Sequence, residues 1–159
     1  MLTIRRYEDA DRKAVWSLHN RALRDVDAHA GNGPWDEDLH RVREAYLDAG
    51  GEFLVGVEDG RIAAMGALAR TGPDTAEIKR MRVEPDRQRR GHGRAILAAL
   101  EARAAELGVR ALLLHTTAGQ TAARRLYEGA GYREGRRCRE GRFEVIEYRK
   151  ALPPPADGR

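Results

Sequence analysis

Between Lys79 and Arg94 the chain places seven basic residues, Lys79, Arg80, Arg82, Arg87, Arg89, Arg90 and Arg94, against two acidic ones, Glu84 and Asp86. The local balance is +5 in a chain whose total is +4, so the remainder sums to −1. Within this segment Gln88-Arg-Arg-Gly-His-Gly-Arg94 joins arginines to two glycines. Gly91 and Gly93 let backbone approach a ligand closely, and a helix opening there presents unpaired N–H groups and a positive dipole end to phosphate oxygens. The plain alternative is a tight turn carrying solvated arginines. A nucleoside-triphosphate loop is excluded because Gly-Lys-Ser or Gly-Lys-Thr is missing and Arg94-Ala95 offers magnesium no hydroxyl. A dinucleotide fingerprint is excluded as well, since only Gly-His-Gly is present, late in the chain. Nucleic acid is a poor fit: the cations are local and no stacking aromatics are interleaved. The turn therefore suits a phosphate-containing cofactor of another kind.

Other reactive side chains are sparse. His19, His29, His40, His92 and His115 are scattered without metal-site spacing, so no metal is expected. Cys138 is the only cysteine, which rules out an internal disulfide and points to a reducing compartment. It lies between Arg137 and Arg139 with no base and orienter beside it in sequence, and reads as a surface or half-buried strand residue.

The elements that must position these groups are legible from periodicity. Residues 2–7 alternate as a first strand, and Glu8-Asp-Ala-Asp11 precedes a helix through about Leu23 with Ala14, Val15, Leu18, Ala22 and Leu23 as its apolar stripe. A second helix is expected from Trp35 to about Ala49, stopped by Gly50-Gly51. Residues 52–57 and 62–68 form a hairpin around Asp59-Gly60, and a further strand over 77–83 ends at Glu84-Pro-Asp86. The helix opened by the glycine turn buries Ile96, Leu97, Leu100, Ala104 and Leu107 and stops at Gly108. Residues 109–114 then read as a strand buried on both faces, 120–128 as a short helix, and 132–148 as a hairpin turning at Glu140-Gly-Arg142.

The order βααβββαβαββ gives a mixed α/β fold class, a single domain with a central mixed, mostly antiparallel sheet flanked by helices. At 159 residues the chain suits one such domain over residues 1–152, with 153–159 as a flexible tail that has nothing to bury. No apolar run approaches the ~20 residues of a membrane helix, and the N-terminus lacks a signal-peptide apolar region. A cytoplasmic protein with no membrane or nucleic-acid partner is expected.

Gln88-Arg-Arg-Gly-His-Gly93 resembles the pyrophosphate-binding signature of the GNAT superfamily of acyl-CoA-dependent N-acetyltransferases: Gln or Arg, two variable residues, Gly, one variable residue, then Gly or Ala. Its setting strengthens the resemblance, between Met81-Arg-Val83 and a long helix, then Leu112-Leu-Leu114 and Ala122-Ala-Arg-Arg-Leu-Tyr-Glu-Gly-Ala-Gly-Tyr132. The similarity covers about residues 2 to 150.

The resemblance implies acetyl-CoA as cosubstrate and direct acetyl transfer to a primary amine, on a small molecule or on a peptide or protein. Backbone around Met81 and Val83 would meet thioester and pantetheine, with the Met81 N–H polarising the acetyl carbonyl. Main-chain amides across Gln88, Arg89, Arg90, Gly91, His92, Gly93 and Arg94 would hold the pyrophosphate. Tyr127 corresponds to the tyrosine that protonates or hydrogen-bonds the departing thiolate, against a plain packing role. Glu77 matches a glutamate that deprotonates the amine in some members, against a solvated strand terminus. Gln120 stands where asparagine is commoner, and reads as a cofactor contact or as a helix cap. Trp35, Asp36, Glu37 and His29 fall where the family borders its acceptor cleft, although Asp36 and Glu37 are also ordinary first-turn residues. A homodimer is compatible with the resemblance. The alternative from another class is a non-catalytic acyl-CoA-binding regulatory module; less favoured is a basic nucleic-acid-binding protein.

Overall fold

The computed structural model of the chain describes residues 1–25 and 32–154. Strand β1 (Thr3–Arg6) leads through a short 3-10 turn into helix α1 (Arg12–Asp25). After a 3-10 segment (Pro34–His40) and a π turn (Arg43–Leu47) come β2 (Glu52–Glu58), β3 (Arg61–Arg70) and β4 (Thr75–Val83). Helix α2 (His92–Glu106), β5 (Ala111–Thr117), α3 (Thr121–Gly129), β6 (Arg133–Glu140) and β7 (Phe143–Ala151) complete the order.

The seven strands form one sheet in the order β1-β2-β3-β4-β5-β7-β6. Every neighbouring pair is antiparallel except β4 and β5, which run parallel and are joined by α2 as a crossover. The Asp-Gly hairpin between β2 and β3 is as expected, with Asp59 (φ +53) and Gly60 (φ +75) both left-handed, the requirement of a two-residue turn matching strand twist.

Period-2 alternation divides the interior. On β3, Ala64 and Leu68 face a core that includes Ile96, Leu97 and Leu100 of α2. Met65 and Ala67 face the other side, onto Val15 and Leu18 of α1 with Leu39, Val42 and Tyr46. Gly66 lies between them: a Cβ there would come within 2.7–2.9 Å of Ile96, Met81 and Leu100, so α2 rests against bare backbone.

Three expectations change. The second helix is replaced by the 3-10 segment and the π turn, because Asp36, Asp38 and Tyr46 are drawn into contacts with His19, β4 and the core rather than into one regular cylinder. Strand β5 is not buried on both faces: Leu112, Leu114 and Thr116 are buried while Ala111 and His115 are exposed, since α1 crosses β3 and β4 and leaves that face of β5 open. On α1, Ala14 is exposed and His19 takes a buried place on the inner face. At the C-terminus Leu152 is buried and its N–H donates to Arg110 O, while Pro153 and Pro154 are exposed; residues 155–159 of the expected tail lie outside the described residues. No described helix is long and apolar enough to cross a membrane.

Leu100 is fully buried at the centre of α2. Leu100→Ala is expected to destabilise the chain by about 3 kcal/mol in urea unfolding, within the range for a cavity of that size; a loss under about 1 kcal/mol would mean that α2 collapses onto Gly66 and refills the space.

Candidate active site

Two features of β4 make a cleft. First, its pairing with β5 ends at Ile78↔Leu114, after which β5 pairs only with β7 and β4 only with β3. The parted strands open a cavity of about 380 Å³, lined on one side by residues 77–82 and on the other by His115, Thr116 and Thr117. Second, β4 carries a bulge. Met65 pairs with Arg82 and Ala67 with Lys79, so Arg80 and Met81 together oppose Gly66, and Arg80 is left-handed at φ +60.

The extra residue reverses side-chain parity along the strand. Before the bulge Ala76 and Ile78 face the α2 core; after it Met81 and Val83 do. Glu77, Lys79, Arg80 and Arg82 consequently share the opposite face, towards α1 and the cleft. Met81 has no paired residue on β3 or on β5, so its peptide borders the opening.

Beyond the end of β4 the chain turns into α2 through Arg89 (φ +67) and Gly91 (φ +82). The first intrahelical bond is Ala95 N–H to Gly91 O, which leaves the amides of His92, Gly93 and Arg94 at the helix N-terminus. Around Gly91 a Cβ would meet nothing within 4 Å, whereas at Gly93 it would press on Leu126 at 3.3 Å and Val83 at 3.6 Å. Gly91 thus bares the cradle and Gly93 seats α2 against β4 and α3. An anionic cofactor fits this arrangement of amides.

The +5 segment does not act as one patch. Glu58 gathers Arg87, Arg90 at 3.4 Å and His92 at 3.3 Å. Arg87, then His92, hold the Glu58 carboxyl down at about 2. The imidazole of His92 is buried, with Nε2 off the hydrogen-bonding direction, so its contribution to the cradle is confined to its amide. Arg80 is engaged by Asp38 through Nε at 2.9 Å and Nη2 at 2.6 Å. Exposed Gln88, Arg89, Arg90 and Arg94 remain around the cradle.

Tyr127 is buried yet lines the cleft, and no described residue bonds its hydroxyl. Its ring packs on Tyr132 at 6.0 Å and Tyr148 at 6.2 Å, as the packing reading expects, while its place in the cleft lining keeps the hydroxyl available to chemistry. Burial pushes the phenol up to about 12, with the charge of Arg82 opposing, which keeps the proton on at neutral pH. Gln120 lies at the start of α3 without capping it; its amide donates to Thr117 Oγ1 at 3.1 Å beside the cleft.

Glu77 is half-buried and bonded to His115, Nδ1 to Oε2 at 3.0 Å, with Glu147 3.7 Å from the other ring nitrogen. His115 was invisible as a partner in sequence because the β5 pattern read as ending at Leu114. The usable signal was strand parity: Glu77 pairs with Leu113, so a residue two further along β5 shares its face.

On the α1 side, His19 Nε2 lies 3.1 Å from Asp36 Oδ1 and Arg82 Nε lies 3.3 Å from His19 Nδ1. Burial, then the charges of Arg82 and Arg80, push the imidazole down to about 4. The neutral ring therefore donates to Asp36 and accepts from Arg82. Asp36, also bonded by Asn32, is buried and cannot serve as an open attractor for a substrate cation. Glu37 is exposed and outside the cleft lining, Trp35 is 59% exposed at its mouth, and His29 lies outside the described residues. Cys138 is exposed on β6 and is not among the residues that line the cleft.

A profile described as the Acetyltransferase (GNAT) family matches residues 13–132. The chain is 34% identical over 136 residues to the [Ribosomal protein bS18]-alanine N-acetyltransferase of Escherichia coli, covering 84% of this chain and 82% of that one. It is 31% identical over 156 residues to a mycothiol acetyltransferase of Streptomyces griseus, covering 98% of this chain and 48% of the longer relative. The fold superposes on a GNAT-family acetyltransferase of Staphylococcus aureus with a TM-score of 0.88 at 18% identity, covering 96% of this chain and all of the other.

The His19 geometry has a measurable consequence. Because its folded pKa lies below the ordinary 6.5, the unfolded chain binds the extra proton first, and stability falls as pH drops from 6.5 towards 4. His19→Gln is expected to flatten the Tm-against-pH profile in that window; parallel profiles would assign the acid loss to other groups.

Proposed function

The chain belongs to the GNAT acetyltransferase family, and from that premise we propose that it transfers acetyl directly from acetyl-CoA to a primary amine held in the cleft between β4 and β5. Acetyl-CoA supplies the activated acetyl group as a thioester. The observation that carries the reading is the parting of β4 from β5 after Ile78, on the strand whose far end leads into the amide cradle that opens α2. Amides across residues 89–94 hold the pyrophosphate, and backbone at Met81 and Val83 flanks the pantetheine arm. The Met81 N–H meets the negative charge that grows on the acetyl oxygen; removing one such donor costs other enzymes roughly 3 kcal/mol.

A protonated amine cannot attack, so a proton must leave first. Glu77, bridged to His115, receives it directly or through water, and Glu147 holds the far side of the imidazole. Tyr127 keeps its proton until the thiolate departs and then donates it. A covalent acetyl-enzyme is unnecessary: the only cysteine sits on β6 outside the cleft.

Incubation of the protein with acetyl-CoA and a panel of peptides and small amines is expected to release coenzyme A. Binding of acetyl-CoA with no transfer to any amine would instead indicate a regulatory module. Tyr127→Phe at saturating substrates should lower kcat by about 100-fold, the lower end for loss of a general acid; unchanged turnover would remove that role. Glu77→Gln and His115→Gln should each shift the pH-rate profile, and a Glu77→Gln enzyme with wild-type rate and profile would return Glu77 to a structural position.

A further inference from the structure

The cleft-facing side of β4 carries a guanidinium that no carboxylate among the described residues neutralises. Arg80, on the same face, is matched by Asp38 and lies 3.6 Å from Asp36. Arg82 has no such partner among the described residues. Its Nη1 donates to Met81 O at 2.8 Å, its Nε points to the neutral His19, and no described residue accepts from Nη2. His19 is itself fixed by Asp36, so the fork is held at two places, and Arg82 lines the cleft. Lys79 lines the same cavity, also without a carboxylate bonded to it among the described residues. Burial costs Arg82 enough to bring its pKa down to about 10, and it still remains charged at neutral pH.

We propose that Arg82 receives a carboxylate belonging to the acceptor, so that the amine substrate is a small amino acid rather than an uncharged amine or a peptide N-terminus. The inference rests on the acetyl-transfer reading of the cleft. A desolvated guanidinium with a free edge is matched by a carboxylate, which forms paired charge-assisted bonds with that planar fork. Position narrows the class further. Arg82 directly follows Met81, whose N–H is assigned to the acetyl oxygen, so an anion on Arg82 lies beside the reacting nitrogen, as an α-carboxylate does. The amine end then turns towards Glu77 and His115, giving a zwitterion opposite charges at its two ends. A peptide N-terminus carries a neutral amide at this place and leaves the guanidinium unpaired.

The test uses matched pairs: each of the common α-amino acids against its own α-carboxamide, with acetylated product measured by mass and coenzyme A by thiol release. The best acid is expected to exceed its carboxamide by about tenfold or more in kcat/KM, the scale of one charged hydrogen-bonded contact. In Arg82→Gln and Arg82→Lys that ratio should fall towards one, with the loss in the KM of the acid, as expected for a contact to a non-reacting group. A carboxamide as good as its acid, or a ratio unaltered in both variants, overturns the inference. Calorimetry of the same pairs on wild-type protein saturated with coenzyme A separates the two readings. Acids that bind while carboxamides do not, with nothing acetylated, would keep Arg82 as an anion site and remove acetyl transfer. Carboxamides or peptides acetylated, with acids neither bound nor acetylated, would keep transfer and remove the carboxylate. Neither class bound nor acetylated would remove both.

Discussion

An arginine held in the left-handed region at position 80 is unfavourable for an L-residue, by roughly 1–2 kcal/mol. The ion pair that retains it is Arg80 with Asp38, two short bonds in a half-buried place, reinforced by Nη2 on Trp35 O at 2.6 Å and by Tyr46 on the same carboxylate. Burial alone would raise the Asp38 carboxyl, but the bonds from Arg80 and Tyr46 outweigh it and hold the group below its ordinary range. This contact fastens the segment between α1 and β2 onto the bulge of β4. Breaking it would free the bulge to relax, and with it the parity on which both sides of the cleft depend.

The bulge divides labour between the faces of the sheet. Without it Arg80 and Arg82 would point into the α2 core, a position in which two unpaired guanidinium groups could not be tolerated. With it, Met81 and Val83 complete that core, while Glu77, Lys79, Arg80 and Arg82 line the cleft on the other face. Gly66 is the counterpart on β3: it faces the two bulged residues and leaves room for Met81 against Ile96 and Leu100.

Most of the strand and helix order was legible because it follows from period and punctuation. The Asp59-Gly60 hairpin, the stop at Pro85 and the apolar stripe Ile96, Leu97, Leu100 and Ala104 are all local signals. The glycine turn was legible for the same reason. The side of the cleft formed by β4, β5 and α1 was not, because its groups meet only through tertiary pairing. His115 reaches Glu77 through the parallel register of β4 and β5, His19 reaches Arg82 across 63 positions, and Asp36 reads in sequence as a helix-start residue although it is buried against His19. The irregular segment over 34–47 escaped for a related reason: its residues have helical spacing, but their polar groups are captured by β4 and α1.

Counting cations by sequence also overstated the cofactor's share of the charge. Of the basic residues between 79 and 94, Arg87 is taken by Glu58, Arg80 by Asp38, and Arg82 is turned to His19 on the other side of the sheet. On the proposed reading, cofactor phosphates are met chiefly by amides at the start of α2, a short-range and directional device, with exposed arginines adding a screened field. Glu58 ties that turn to the β2–β3 hairpin, drawing in Arg87, Arg90 and His92 from both sides of Gln88 and Gly91. A segment that looks uniformly electropositive is thus two devices of opposite orientation: one braced by a carboxylate behind it to present backbone, the other braced by a neutral histidine to present a guanidinium.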